Sequence, residues 1–137
     1  MATLNLVIPA TPDAIPAVAD DVMHLLESSD WPEDDRAKID LALQEALANG
    51  IRHGCQGDAS KQVRCCVVCD EEENEVVIVI RDEGNGFNPD AVPDPRTPEN
   101  VWRTHGRGVF LIRELMDDVT FADGGREVWM RRQKRAA

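Results

Sequence analysis

Apolar and polar residues alternate over residues 3–8, with Leu4, Leu6 and Ile8 on one side, and this predicts a half-buried strand that Pro9 ends. Ile15, Val18, Val22, Leu25 and Leu26 then recur at helical spacing to about Ser28, behind Thr11 or Asp13 as the cap. Ser28-Ser29-Asp30-Trp31-Pro32 punctuates the chain before a second helix, with Pro32 in its first turn and Glu33, Asp34 and Asp35 near its positive end. That helix runs to about His53, and Ile39, Leu43, Ala46 and Leu47 fall on an arc that can face a core. A loop rich in turn residues follows over 54–60. Two strands are then predicted, at 62–70 and 75–81, joined by the acidic turn Glu71-Glu72-Glu73-Asn74. The second, EVVIVIRD, is strongly β-branched and expected at the centre of a sheet. Residues 88–105 carry Pro89, Pro93, Pro95 and Pro98 without sustained periodicity, the signature of a lid or binding loop. Gly106-Arg107-Gly108 opens an apolar helix, and strands at 119–122 and 127–132 form a final hairpin around Asp123-Gly124-Gly125.

The length of 137 residues suits one domain with one core, and 42% hydrophobic content is ample to fill it. A net charge of −11 argues against general affinity for nucleic acid or an anionic membrane. The basic run Arg131, Arg132, Lys134, Arg135 is the local exception, read as a solvated strand end. No apolar run reaches the length of a membrane span, and MATLNLVIPATPD lacks the basic start and apolar stretch of a secretory signal, so a cytoplasmic protein is expected. Cys66-x-x-Cys69 has a spacing seen in redox and zinc sites. It lies in a predicted strand, however, where residues three apart face opposite ways, and with Cys55 and Cys65 it reads better as buried free thiol. His24 has no companion that suggests chemistry and is read as a surface or packing residue.

Three short stretches carry candidate chemistry. In LALQEALANGIRHG, a helix places Glu45 and Asn49 on one face, a carboxylate and a carboxamide one turn apart that suit a proton and a metal-bound phosphate. On its own, the stretch fits an ordinary amphipathic helix with a polar outer face better. Asp82 ends the central strand and is followed by Gly84 and Gly86, where a buried carboxylate would accept a hydrogen bond from an exocyclic amine and so select adenine over guanine. A simple turn has the same composition. Gly106-x-Gly108 at a helix start offers free N–H groups to phosphate, or is merely a glycine-rich helix entry.

Their order is more specific than any one of them. Glu45, Asn49 and His53-Gly54, then Asp82-x-Gly84-x-Gly86-Phe87, then Gly106-x-Gly108 resembles the GHKL, or Bergerat-fold, ATPase and kinase superfamily. GRGVFLIRELMDDVTF resembles the small serine/threonine kinases that act as anti-sigma factors. The resemblance implies an α/β (α+β) two-layer sandwich, one mixed and mostly antiparallel sheet with helices on one face. It makes Glu45 the general base, Asn49 the Mg2+ ligand, Asp82 the adenine reader, and Gly84 and Gly86 its supporting loop. Gly106 and Gly108 become the phosphate cradle at the end of an ATP lid spanning about 88–105, with Arg103, His105 and Arg107 as cations toward the phosphates. The implied cofactors are ATP and Mg2+. The implied partners are an anti-anti-sigma factor of the STAS fold as substrate, a sigma factor, and a second copy of the chain in a homodimer.

One position departs from that pattern. The last strand begins Gly125-Arg126-Glu127, where related chains often carry a small hydroxyl residue near the adenine pocket. A non-catalytic ATP-binding switch that sequesters a regulatory partner is the alternative function; the presence of both Glu45 and Asn49 favours the kinase. A histidine kinase is disfavoured because these 137 residues contain no dimerisation helix with a phosphoacceptor histidine.

Overall fold

β-branched and alternating segments become strands here, and the helices cover the face on which their apolar residues converge. The computed structural model describes residues 1–56, 58–84 and 107–135. Its strands are β1 (Ala2–Pro9), β2 (Gln62–Asp70), β3 (Glu75–Asp82), β4 (Asp118–Ala122) and β5 (Glu127–Gln133). They form one sheet in the order β1-β2-β3-β5-β4. All four pairings are antiparallel, so the sheet lies at the antiparallel end of what was expected, with β3 in the middle.

Among the described residues three α-helices lie on one face: α1 (Ile15–Ser28), α2 (Glu33–Asn49) and α3 (Arg107–Leu115). Residues 63, 65, 67 and 69 of β2 and 76, 78 and 80 of β3 alternate inward and are buried against Val22 and Leu26 of α1 and Ile39, Leu43 and Leu47 of α2. The outward row is more open, and Val7 and Trp129 are about half exposed on it. Cys69 faces the core while Cys66 is only half-buried on the other side, as strand alternation requires. Burial pushes the Cys65 thiol up to about 12, which makes it inert at neutral pH. His24 is exposed. Among the described residues no helix is long and apolar enough to cross a membrane.

Four local expectations need correction. Thr11 stands at the cap of a short 3-10 turn (Pro12–Ala14), but its hydroxyl makes no capping bond. Pro32 is the cap of α2 rather than a residue of its first turn, and its carbonyl accepts the Arg36 N–H at 2.9 Å. α2 stops at Asn49, and the chain continues as a π turn (Gly50–Gly54) closed by the Cys55 N–H on the Gly50 carbonyl at 2.8 Å. The basic C-terminal run is not a solvated strand end. Arg132 is buried against Asp35, Arg131 pairs with Glu75 and Asp118, Arg135 pairs with Asp117, and Lys134 lies 5.3 Å from the centre of the Trp31 ring.

Candidate functional site

α2 and β3 end on the same side of the sheet, so their last residues, Asn49 and Asp82, meet at one cleft. Ala46, Asn49, Gly50, Asp82 and Arg126 line it, and Ile80, Ile112 and Val128 supply an apolar wall. A Cβ on Gly50 would lie 3.7 Å from both Cβ and Oδ2 of Asp82, so helix and strand approach each other across a bare backbone.

Asp82 is buried, with 4% of its surface exposed. Its Oδ1 accepts the N–H of Gly84 at 2.8 Å, and its own N–H donates to the carbonyl of Arg126 at 2.9 Å. Burial raises the Asp82 carboxyl above the usual carboxylate range; the Gly84 N–H and the charges of Arg126, Arg81 and Lys61 oppose that without cancelling it. A carboxylate so placed is a strong acceptor for a donor entering the cleft.

Glu45 and Asn49 lie one turn apart on α2, half-buried and buried respectively. Gly108, in the first turn of α3, closes over them. A Cβ there would stand 2.9 Å from Asn49 Nδ2, from Asn49 Oδ1 and from Glu45 Oε2, closer than side chains tolerate. Glycine lets the start of α3 come this near without displacing the ends of Asn49 and Glu45. Asn49 Nδ2 is buried without a hydrogen-bond partner among the described residues, an unspent donor in the same place. Turning about its last bond, the carboxamide presents either an oxygen to a hard cation or an N–H to a phosphate. Among the described residues there is no group of three acidic, His or Cys side chains able to hold a metal unaided. The Asn49 oxygen is a single hard ligand, of the kind magnesium takes beside the phosphates of a nucleotide.

Five of the site residues named from sequence thus fall together: Glu45, Asn49, Asp82, Gly84 and Gly108. Arg107 opens α3. Gly86, Arg103, His105 and Gly106, and the lid over about 88–105, lie outside the described residues. Sequence reasoning did not single out Gly50; its only signal was its place directly after Asn49. Arg126 was noted only as a departure from a small hydroxyl residue near the adenine pocket, and it borders the cleft with Nε donating to the Gly84 carbonyl at 2.7 Å.

A cleft between a helix carrying Glu and Asn and a strand ending in Asp is the setting in which a match to the histidine kinase-like ATPase domain is found. That family matches residues 8–132, and the chain belongs to it. Among its relatives, the serine-protein kinase RsbW of Staphylococcus epidermidis is 32% identical over 94 residues, 64% of this chain and 58% of the relative. The anti-sigma F factor of Bacillus thuringiensis is 36% identical over 84 residues, 60% of this chain and 56% of that protein. The match thus spans a little over half the length of these curated relatives. The solved structure of the RsbU and RsbW domains of a Mycobacterium tuberculosis protein superposes on the whole chain with a TM-score of 0.69, covering 34% of that protein at 17% identity, which establishes a shared fold.

Proposed function

We propose that this protein is an ATP-dependent serine/threonine protein kinase acting as an anti-sigma factor, whose substrate is an anti-anti-sigma partner of the STAS fold. The observation that carries this reading is the convergence of Glu45, Asn49 and Gly108 on one point, beside the cleft that Asn49 shares with Asp82. Two relatives support its direction, one named a serine-protein kinase and one an anti-sigma factor.

Asp82 accepts the amine of adenine, with Gly84 and Gly86 shaping the loop around the base. Asn49 would hold a Mg2+ ion, which when bound would neutralise charge on the phosphates. Gly106 and Gly108 present backbone N–H groups to the phosphates at the positive end of α3. Arg103, His105 and Arg107 add positive charge from the lid side. Glu45 takes the proton of the partner's hydroxyl as the γ-phosphoryl moves to that oxygen and ADP leaves. Such a transfer is governed by positioning and charge neutralisation, and a general base typically contributes about 100-fold or more. A sigma factor is the second partner, and a homodimer in the cytoplasm is the working form.

The test is calorimetric titration with ATP and GTP, with and without magnesium, followed by phosphoryl transfer from labelled ATP to purified STAS-domain proteins. The expected result is magnesium-dependent ATP binding with GTP excluded, lost in Asn49→Ala. Glu45→Gln is expected to bind ATP normally and to transfer at least about 100-fold more slowly. A Glu45→Gln variant that phosphorylates at the wild-type rate removes Glu45 from its role as base. Binding of ATP by a chain that phosphorylates no STAS protein leaves the non-catalytic switch.

A further inference from the structure

Arg126 borders the cleft beside Asp82. Its Nε donates to the Gly84 carbonyl at 2.7 Å, and its Nη1 lies 3.4 Å from Asp123 Oδ1. The side chain therefore spans two walls, the end of β3 with its following bend and the turn between β4 and β5. The cavity that Arg126 lines together with Asn49, Gly50 and Asp82 amounts to about 10 Å3, the room of one water and far too little for a purine.

We propose that Arg126 is a latch that sets how readily the pocket beside Asp82 admits a nucleobase; this rests on the reading of the cleft as an adenine-nucleotide site. The geometry makes the latch releasable. The Arg126 side chain is 40% exposed, so its guanidinium can move into water without losing solvation. Asp123 keeps a partner when it does, because Arg81 Nη2 stands 2.5 Å from its other oxygen. The link between the two walls also persists, because the N–H of Asp82 donates to the main-chain carbonyl of Arg126 and not to its side chain.

The same geometry argues against a positive part for Arg126 in holding the base. Its Nε–H is already spent on the carbonyl of Gly84, whose own N–H orients Asp82, and its Nη1 is turned to Asp123. A base arriving at Asp82 meets a closed pocket, and the apparent affinity falls by the fraction of time the pocket is open. Serine at 126 preserves the main-chain bond and removes the latch. Lysine keeps a cationic donor near the Gly84 carbonyl.

The experiment is titration of the full chain, as wild type, Arg126→Ser and Arg126→Lys, with magnesium-ATP, adenosine and magnesium-tripolyphosphate. Arg126→Ser is expected to bind ATP and adenosine about tenfold more tightly, with tripolyphosphate changed by less than about twofold. Arg126→Lys is expected to fall between wild type and the serine variant. ATP affinity that is unchanged or weaker in Arg126→Ser, while the wild type binds ATP, overturns the latch and leaves the nucleotide site standing. Equal tightening for all three ligands also overturns it, since that marks a general change of charge and not a gate at the base. If neither wild type nor Arg126→Ser binds ATP or adenosine, the nucleotide reading fails and the latch fails with it.

Discussion

Asp35, in the first turn of α2, accepts two hydrogen bonds from Arg132 near the end of β5, at 3.2 Å from Nε and 2.8 Å from Nη2. Both residues are almost fully buried, at 1% and 4% exposure. The remaining groups are also used: Arg132 Nη1 donates to the Leu115 carbonyl at 2.6 Å, and Asp35 Oδ2 accepts the Arg135 N–H at 3.1 Å. The pair thus ties the start of α2, the end of α3 and the last strand together.

Removing one member leaves the other charge buried alone. Asp35→Ala is expected to cost about 3–5 kcal/mol, read as a lower urea midpoint with an unchanged slope. Asp34, one residue earlier, bridges Lys38 from an open surface, and Asp34→Ala is expected to cost less than about 1 kcal/mol. Equal losses at the two positions would show that the buried pair has no special weight.

Gly108→Ala separates stability from ligand binding. Alanine is the better helix former by about 1 kcal/mol, so helix propensity favours the variant. Its methyl group meets Asn49 and Glu45 at 2.9 Å and must push at least one of them aside. The expected outcome is a melting temperature at or near that of the wild type together with at least about tenfold weaker magnesium-ATP binding, measured by scanning calorimetry and titration on the same samples. Unaltered ATP affinity would show that the close approach of α3 has no part in the site.

The Asp117 carboxyl gives a defined acid limb to the stability curve. Its Oδ1 accepts from Arg135 Nη2 at 2.6 Å and its Oδ2 from the Gln133 N–H at 2.6 Å. Arg135, as the largest cause, holds the carboxyl down at about 2. A folded-state value below the unfolded one stabilises the protein above the ordinary carboxylate value near 4 and is lost as pH falls through about 2. Melting temperature is therefore expected to fall over that window less steeply in Asp117→Asn than in the wild type. Parallel curves would mean that Asp117 is not held this way.

Much of this was legible from periodicity. The alternation in β2 and β3, the central place of β3 and the buried arc of Ile39, Leu43, Ala46 and Leu47 follow from patterns of two and 3.6 residues. The pairing of Asp35 with Arg132 was not legible, because Glu33, Asp34 and Asp35 are chemically alike and the partner lies 97 residues away. Local rules place all three as surface acids at a helix start. The π turn after Asn49 escaped for another reason: a helical repeat continues through GIRHG, and only the packing of Gly50 against Asp82 distinguishes where α2 stops. Within the site, Glu45 and Asn49 could be paired from their spacing, whereas their closure by Gly108 depends on how α3 crosses α2. Arg126 was visible as a bulky residue, but its hydrogen bond to Gly84 bridges 42 positions and required the fold.

Asp82 carries a cost to stability that its proposed role in binding adenine explains. Burial, the largest cause, holds its folded-state value above the unfolded one, so ionisation in the folded protein is disfavoured and the charge destabilises at neutral pH. That penalty is fully present above the raised folded value. It fades as pH falls through that value and is gone below the unfolded value near 4. Asp82→Asn keeps an oxygen for the Gly84 N–H while removing the charge. The variant is expected to melt above the wild type at pH 7, with the difference shrinking toward pH 4, and to bind ATP at least about tenfold more weakly, because the amide is a poorer acceptor than the carboxylate it replaces. A gain in stability without loss of ATP affinity would mean that the carboxylate is not the adenine reader. A loss of both would mean that its charge serves the fold.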